Sequence, residues 1–220
     1  MNILELFAGS RSFSKAAEEL GYNTFSTDIK KFKNIDLVID ILELDLHDLK
    51  KELFKKGIDK IDCVWASPPC TYFSVASIGH HWNKDHTPKT KEAVLGCKIV
   101  IKTLEIIKFL QPDFFFIENP RGKLRKLKFM QKIPRATVTY CQYGDKRMKP
   151  TDIWTNHLSS NDLFGDNKLQ GWIPRKICKN GDTCHESAPR GSQTGTQGIK
   201  GNYERSKVPK ELCLEILKSL

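Results

Sequence analysis

Short apolar runs alternate with helix-period stretches along most of this chain. Residues 2–7, Asn2-Ile3-Leu4-Glu5-Leu6-Phe7, read as a buried strand. Ala8-Gly9-Ser10 follows, then an amphipathic helix through Leu20 that Gly21 closes. Short strands at 23–27 and 36–39 end in Asp28 and Asp40. Residues 46–56 read as a helix stopped by Gly57, and a strand follows at 61–66. A long helix at 91–110 precedes the strand Phe114-Phe115-Phe116-Ile117, which runs into Glu118. Residues 136–140 and 151–155 are strand-like, and 209–219 form a last helix. Strands alternating with helices predict an α/β fold, a mostly parallel sheet with helices on both faces.

Two stretches break the alternation. Residues 71–90 are polar, hold Gly79, His80, His81 and Pro88, and show no period, which predicts a long mobile loop. Residues 157–201 are rich in Asn, Gly, Ser, Gln and Thr and read as an irregular insert. The chain therefore divides into a main domain over 1–156, a small insert over 157–201, and a C-terminal helix within 202–220 that returns to the main domain.

Composition narrows the class. A chain of 220 residues with 39% hydrophobic and 28% charged residues suffices for one domain with a substantial core. The net charge of +10 points to a polyanionic partner such as nucleic acid, the alternative being a lysine-rich surface that serves solubility alone. No basic segment followed by an apolar one opens the chain, and no apolar run approaches the ~20 residues of a membrane span. Seven dispersed cysteines fit reduced thiols in a cytoplasmic protein.

The candidate chemistry sits at strand ends. Ser67-Pro68-Pro69-Cys70 follows the strand 61–66 directly, and its prolines force the chain out of the sheet. Carboxyl ends of parallel strands are where open α/β sheets bind ligands. A thiol there, facing a second strand that ends Glu118-Asn119-Pro120, pairs a nucleophile with an acid. Phe7-Ala8-Gly9-Ser10 joins a strand to a helix N-terminus and lets a ligand approach the backbone. Asp28 and Asp40 stand where carboxylates can accept hydrogen bonds from a ribose and from an adenine amine. Each acid taken singly reads more readily as a helix cap or turn residue, and the three strand-end features together favour the ligand. Cys63 and Cys97 read as small core residues. Cys178-x5-Cys184-His185 offers three zinc ligands without an obvious fourth; no metal site is assigned, and the question stays open. The glycine-rich run from Arg190 and Gly191 through Gln193 suits either a phosphate-wrapping loop or a plain surface loop.

The ordered set FAGS, SPPC, IENP and a terminal VPxxLxxxI resembles the cytosine-C5 DNA methyltransferases over most of the chain. The resemblance implies a class I S-adenosylmethionine-dependent, Rossmann-like fold, with residues 157–201 as the target-recognition insert. It implies that Phe7, Ala8, Gly9, Ser10, Asp28, Ile29, Asp40, Ile41 and Pro69 bind S-adenosylmethionine. Cys70 would add to C6 of cytosine, its thiolate favoured by nearby positive charge. Glu118 would bind N3 and the exocyclic amine from an apolar pocket, Asn119 would hold the geometry, and Arg147 would support Glu118 or the base. The segment Tyr143-Gly144-Asp145-Lys146-Arg147-Met148-Lys149 is similar to the family's arginine-bearing motif, with Asp145 replacing its glutamine and Lys149 its second arginine.

The target base must leave the duplex, and residues 71–90 would close behind it as a lid. His81, Lys84, Arg121, Lys149, Arg190, Gly191 and Gln193 are the implied nucleic-acid contacts. Lys123, Arg125, Lys126 and Lys128 suit either phosphate contacts or a solvated helix face. The implied partner is double-stranded DNA, with transfer RNA as the alternative substrate and a silent nucleic-acid binder as the alternative class. Cys70, Glu118 and Arg147 together argue against the silent binder. The small insert resembles phage or prophage members of the family, and a monomer is expected.

Overall fold

In the computed structural model, residues 1–159, 171–179, 181–187, 199 and 201–220 are described. The chain runs β1 (Asn2–Leu6), α1 (Ser12–Glu19), β2 (Asn23–Asp28), β3 (Leu37–Val38), α2 (Leu46–Lys55) and β4 (Cys63–Ala66). It continues with α3 (Ile78–His81), α4 (Lys91–Leu110), β5 (Phe114–Pro120), β6 (Arg135–Thr139), β7 (Pro150–Thr155), α5 (Asn202–Ser206) and α6 (Lys210–Lys218). The strands form one seven-stranded sheet in the order β3-β2-β1-β4-β5-β7-β6. Strands β3 to β5 are mutually parallel, whereas β7 runs antiparallel to both β5 and β6. This is the Rossmann-like methyltransferase arrangement that the strand pattern and the motifs predict.

Strand periodicity builds two cores from one sheet. Leu4, Val64, Ile117 and Trp154 face one side, with Leu49 and Leu53 of α2 and Val100 and Ile106 of α4. Their neighbours Ile3, Trp65, Phe116 and Ile153 face the other, with Phe13, Ala16 and Ala17 of α1 and Leu212 and Ile216 of α6. Adjacent residues of one strand point to opposite faces, so a sheet buried on both sides carries continuous apolar runs. Trp172, from the segment after residue 159, is buried in the second core.

Sheet order places the site. The chain winds outward from β1 through β2 to β3, then restarts at β4 on the other side of β1. The loops after β1 and β4 therefore diverge around a crevice, the position where doubly wound sheets bind ligands.

Two sequence expectations need correction. Residues 71–90 are not a free loop: they carry α3 and bury Phe73, His81 and Trp82. Trp82 Nε1 donates to the Tyr72 carbonyl at 2.6 Å, and Lys123 N donates to the Phe73 carbonyl at 2.7 Å. The backbones touch so closely at Gly122 that a Cβ there would lie 2.2 Å from the Phe73 oxygen. Nor do residues 121–128 form a solvated helix face. They form short 3-10 turns at Leu124–Lys126 and Lys128–Met130. Lys123 is buried against His86 Nδ1 at 2.8 Å, and Arg125 pairs with the fully buried Asp152, Nε to Oδ2 at 2.8 Å. Among the described residues, no helix is long and apolar enough to cross a membrane.

Candidate active site

A cavity of about 730 Å³ opens at the crevice. Phe7, Ala8, Ser10 and Ser12 line it from the β1 loop, and Ser67 to Thr71 from the β4 loop. Glu118, Pro120 and Arg121 enter from the end of β5, Lys149 and Pro150 from the start of β7, and Arg205, Ser206 and Val208 from the C-terminal segment. Residues from five parts of the chain thus meet around Cys70.

Each catalytic candidate is held by the fold. Asn119 is fully buried and its Nδ2 donates to the Pro68 carbonyl at 2.9 Å, tying the end of β5 to the proline turn that carries Cys70. This bond keeps acid and thiol in one frame. Glu118 is buried, and its Oε1 accepts the Tyr140 hydroxyl at 2.9 Å with Lys149 Nζ at 3.9 Å. The pocket around this carboxylate is polar, which corrects the expected apolar surroundings. Burial and the neighbouring Glu118 hold the Tyr140 hydroxyl well above its ordinary value, so it remains a donor.

Cys70 is half-buried, and burial pushes its thiol up. Lys149 is the largest opposing influence, Glu118 adds to the rise, and Arg205 lowers it. Positive charge expected to favour the thiolate is thus present in Lys149 and Arg205, and desolvation outweighs it.

Arg147, expected to support Glu118 or the base, has its guanidinium engaged by other groups. Its guanidinium is buried against Asp145, Nε to Oδ1 at 2.8 Å, and donates to the carbonyls of Arg205 at 2.9 Å and Lys207 at 3.0 Å. It straps the C-terminal segment onto the β6–β7 connection. The groups beside Glu118 are Tyr140 and Lys149. Tyr140 escaped the sequence reading because it looked like one more strand residue. Lys149, expected only as a nucleic-acid contact, sits 4.6 Å over the Tyr140 ring and donates to the Arg205 carbonyl at 3.2 Å.

The expected cofactor residues divide. Phe7, Ala8, Ser10 and Pro69 line the cavity. Gly9, at φ 46, turns the chain so that its N–H donates to Asp28 Oδ2 at 2.9 Å, while Asp28 Oδ1 accepts from Lys30 N at 2.8 Å. Ile29 is 62% exposed, and Asp40 Oδ1 accepts from Leu42 N at 3.0 Å. Ile41 is buried in the first core, away from the cavity wall. The N-terminus of α1 is already closed: Glu5, buried below it, accepts from Phe13 N at 3.2 Å and Ser14 N at 2.8 Å. Sequence reasoning missed this carboxylate because it sits inside an apolar strand. Burial pushes it up, against hydrogen bonds from Ser14 and Phe13.

Of the nucleic-acid candidates, Arg121 is exposed at the cavity and Lys84 is exposed on the segment before α4. His81 is turned inward, its Nδ1 2.7 Å from the Thr90 hydroxyl that caps α4. It braces a helix and faces away from solvent. Arg190, Gly191 and Gln193 lie outside the described residues. Away from the cavity, Cys141 joins Cys178, Cys184 and His185, all four ligand atoms within 4.8 Å of one another. Cys141 is a fourth group of ligand type that the sequence spacing does not reveal beside the other three.

Known proteins place this geometry in a family. The profile of the C-5 cytosine-specific DNA methylases matches residues 1–133. A Frog virus 3 (isolate Goorha) protein named "Probable DNA (cytosine-5)-methyltransferase" is 31% identical over 99% of both chains. The type II methyltransferase M.DdeI of Desulfomicrobium norvegicum is 30% identical over 56% of this chain and 29% of its own. A prophage-encoded E. coli structure assigned to DNA modification superposes with TM-score 0.55 at 16% identity, over 81% of this chain and 52% of that one, a likeness of fold. By the family profile and the end-to-end viral relative, the chain belongs to the C-5 cytosine-specific DNA methylases and is a DNA cytosine-C5 methyltransferase.

Proposed function

We propose that the protein acts on a cytosine flipped out of double-stranded DNA, through a transient bond between Cys70 Sγ and C6. The observation that carries this reading is the opening of Cys70, Glu118 and the Phe7–Ser10 loop onto one cavity. Its volume of about 730 Å³ lies within the range of pockets for ligands of nucleoside size. The aromatic, small and hydroxyl residues Phe7, Ala8, Ser10 and Ser12 suit an adenosyl group, with Pro69 beside them. S-adenosylmethionine supplies an electrophilic methyl when bound there.

The chain's own residues prepare the base. The Cys70 thiolate forms a bond to C6, and the C5–C6 π electrons move toward N3, which takes a proton shared with Glu118. Tyr140 and Lys149 fix the carboxylate that meets N3 and the exocyclic amine. Lys149 and Arg205 favour the thiolate against its desolvation. Once C5 carries the methyl, which would leave the cofactor as its neutral thioether, N3 returns its proton to Glu118. A base takes the C5 proton, and that electron pair re-forms C5=C6 as the Sγ–C6 bond breaks to give back the thiolate. Arg121 at the cavity and Lys84, exposed on the segment before α4, supply phosphate contacts, in keeping with the net charge of +10. Because Phe73, His81 and Trp82 anchor the segment after Cys70, any closure over the flipped base is confined to its exposed parts around Val75.

The test is incubation with methyl-labelled cofactor and either duplex DNA or transfer RNA, for wild type and Cys70→Ala. Label should enter DNA with wild type only. Label on RNA alone would refute the DNA substrate, and label on neither would leave a silent binder. Duplex DNA carrying 5-fluorocytosine should trap a covalent adduct; persistence of that adduct in Cys70→Ala would show the wrong nucleophile.

A further inference from the structure

We propose that Cys141, Cys178, Cys184 and His185 form a structural zinc site that clamps the recognition insert onto the catalytic domain. The inference is independent of the methyl-transfer reading. Cys141 lies in the 3-10 turn Tyr140–Tyr143 after β6, and the other three lie in the segment 171–187. Sequence spacing alone cannot pair ligands that stand 37 residues apart.

The distances fit one tetrahedral ion. With Zn–S near 2.3 Å and Zn–N near 2.05 Å, tetrahedral edges are about 3.8 Å for S–S and about 3.6 Å for S–N. Cys184 Sγ lies 3.6 Å from Cys141 Sγ and 3.6 Å from His185 Nδ1, and Cys178 Sγ lies 3.8 Å from that nitrogen. The Cys141–Cys178 separation of 3.1 Å is shorter than the edge and well beyond a disulfide bond of about 2.05 Å. An ion between the thiolates would open it by several tenths of an ångström.

Surrounding groups suit a metal centre. Gln142 Nε2 donates to Cys184 Sγ at 3.2 Å, the kind of amide contact that supports a bound thiolate. Cys178 N donates to the Thr139 hydroxyl at 3.0 Å, which docks the ligand-bearing segment on the end of β6. Cys141 and Cys178 are buried, whereas Cys184 is exposed, so the site is reachable from one side. This polar segment has few apolar side chains to bury, Trp172 being its main anchor in the second core. A metal supplies the cross-link that so small a core cannot. Cys141 also follows Tyr140, the donor to Glu118, so the same ion steadies the turn behind the catalytic carboxylate.

Tag-free full-length protein, purified under reducing conditions without added metal, should contain about one zinc per chain by elemental mass spectrometry. Cys141→Ser and the exposed-position variant Cys184→Ser should each lose most of it, while Cys97→Ser keeps it. Cobalt exchanged into the wild type should give the intense visible bands of a tetrahedral thiolate site, and these should weaken in Cys184→Ser. Zinc-free folded wild type that binds no cobalt would overturn the proposal. So would a Cys141–Cys178 disulfide found by peptide mapping, or zinc content unchanged in both serine variants.

Discussion

Tyr140→Phe isolates the support of Glu118. The substitution removes one oxygen and leaves a ring that is fully buried in the second core, beneath Lys149 and Arg147. What disappears is a 2.9 Å hydrogen bond from a neutral donor to a buried carboxylate oxygen. Bonds of this kind are worth about 1.5–3 kcal/mol. If the bond holds Glu118 where it meets the base, kcat/KM for DNA falls about ten- to a hundredfold. Oε1 would retain Lys149 Nζ, at 3.9 Å, and the carboxylate would swing toward it. Cofactor affinity should be unchanged, because Tyr140 does not line the cavity wall. Initial rates with labelled cofactor over a range of DNA concentrations measure the effect, with cofactor binding by calorimetry and urea unfolding as controls. A kcat/KM within about threefold of wild type, in protein that unfolds cooperatively, would refute the role assigned to this bond. A loss matched by cofactor affinity would refute it equally.

Three further outcomes follow from the same geometry. Burial raises the Cys70 thiol, so its thiolate is scarce at neutral pH and gains as pH rises through a value above the ordinary thiol range. Alkylation of Cys70 by iodoacetamide, read by peptide mass spectrometry, should inflect there, and Lys149→Met should move the inflection higher still; an inflection below the ordinary range contradicts this. Gly122→Ala places a Cβ 2.2 Å from the Phe73 oxygen, so thermal unfolding should report a loss of about 1–3 kcal/mol and alkylation of Cys70 should change as its turn shifts. Asp152→Ala strips the partner from Arg125 and the acceptor from the Thr137 hydroxyl at 2.8 Å. Urea unfolding should show a loss near the lower end of about 3–5 kcal/mol, because Arg125 is 23% exposed; a change below about 1 kcal/mol would show the pair to be dispensable.

Periodicity made the scaffold legible. Strands β1, β2, β4 and β5 and helices α1, α2, α4 and α6 lie within a few residues of their expected bounds, since apolar repeats record which faces are dry. Cys70, Glu118 and Asn119 were legible for another reason: prolines mark the carboxyl ends of both strands, which puts the thiol just beyond β4 and the acid among the last paired residues of β5. Contacts among distant elements were not legible. His81 looked like a loop histidine until α4 was seen to place Thr90 beside it. Arg147 looked like a partner of Glu118 or of the base, whereas its guanidinium bonds Asp145 and the carbonyls of the C-terminal segment. Polar groups surround Glu118 where an apolar context was expected, because the turn after β6 delivers Tyr140 and the residue before β7 delivers Lys149 to the same carboxylate.

The sequence by itself determined the fold class, the thiol at the end of β4 and the acid at the end of β5. Each of these is a local matter of apolar period, proline placement and strand-end chemistry. Only the tertiary structure decided which groups surround that acid, how burial sets the thiol, and that Cys141 meets Cys178, Cys184 and His185. Those outcomes depend on the register of the antiparallel β6–β7 pair and on the packing of the C-terminal segment, which bring residues dozens of positions apart within bonding distance. No local pattern in the chain encodes such a meeting.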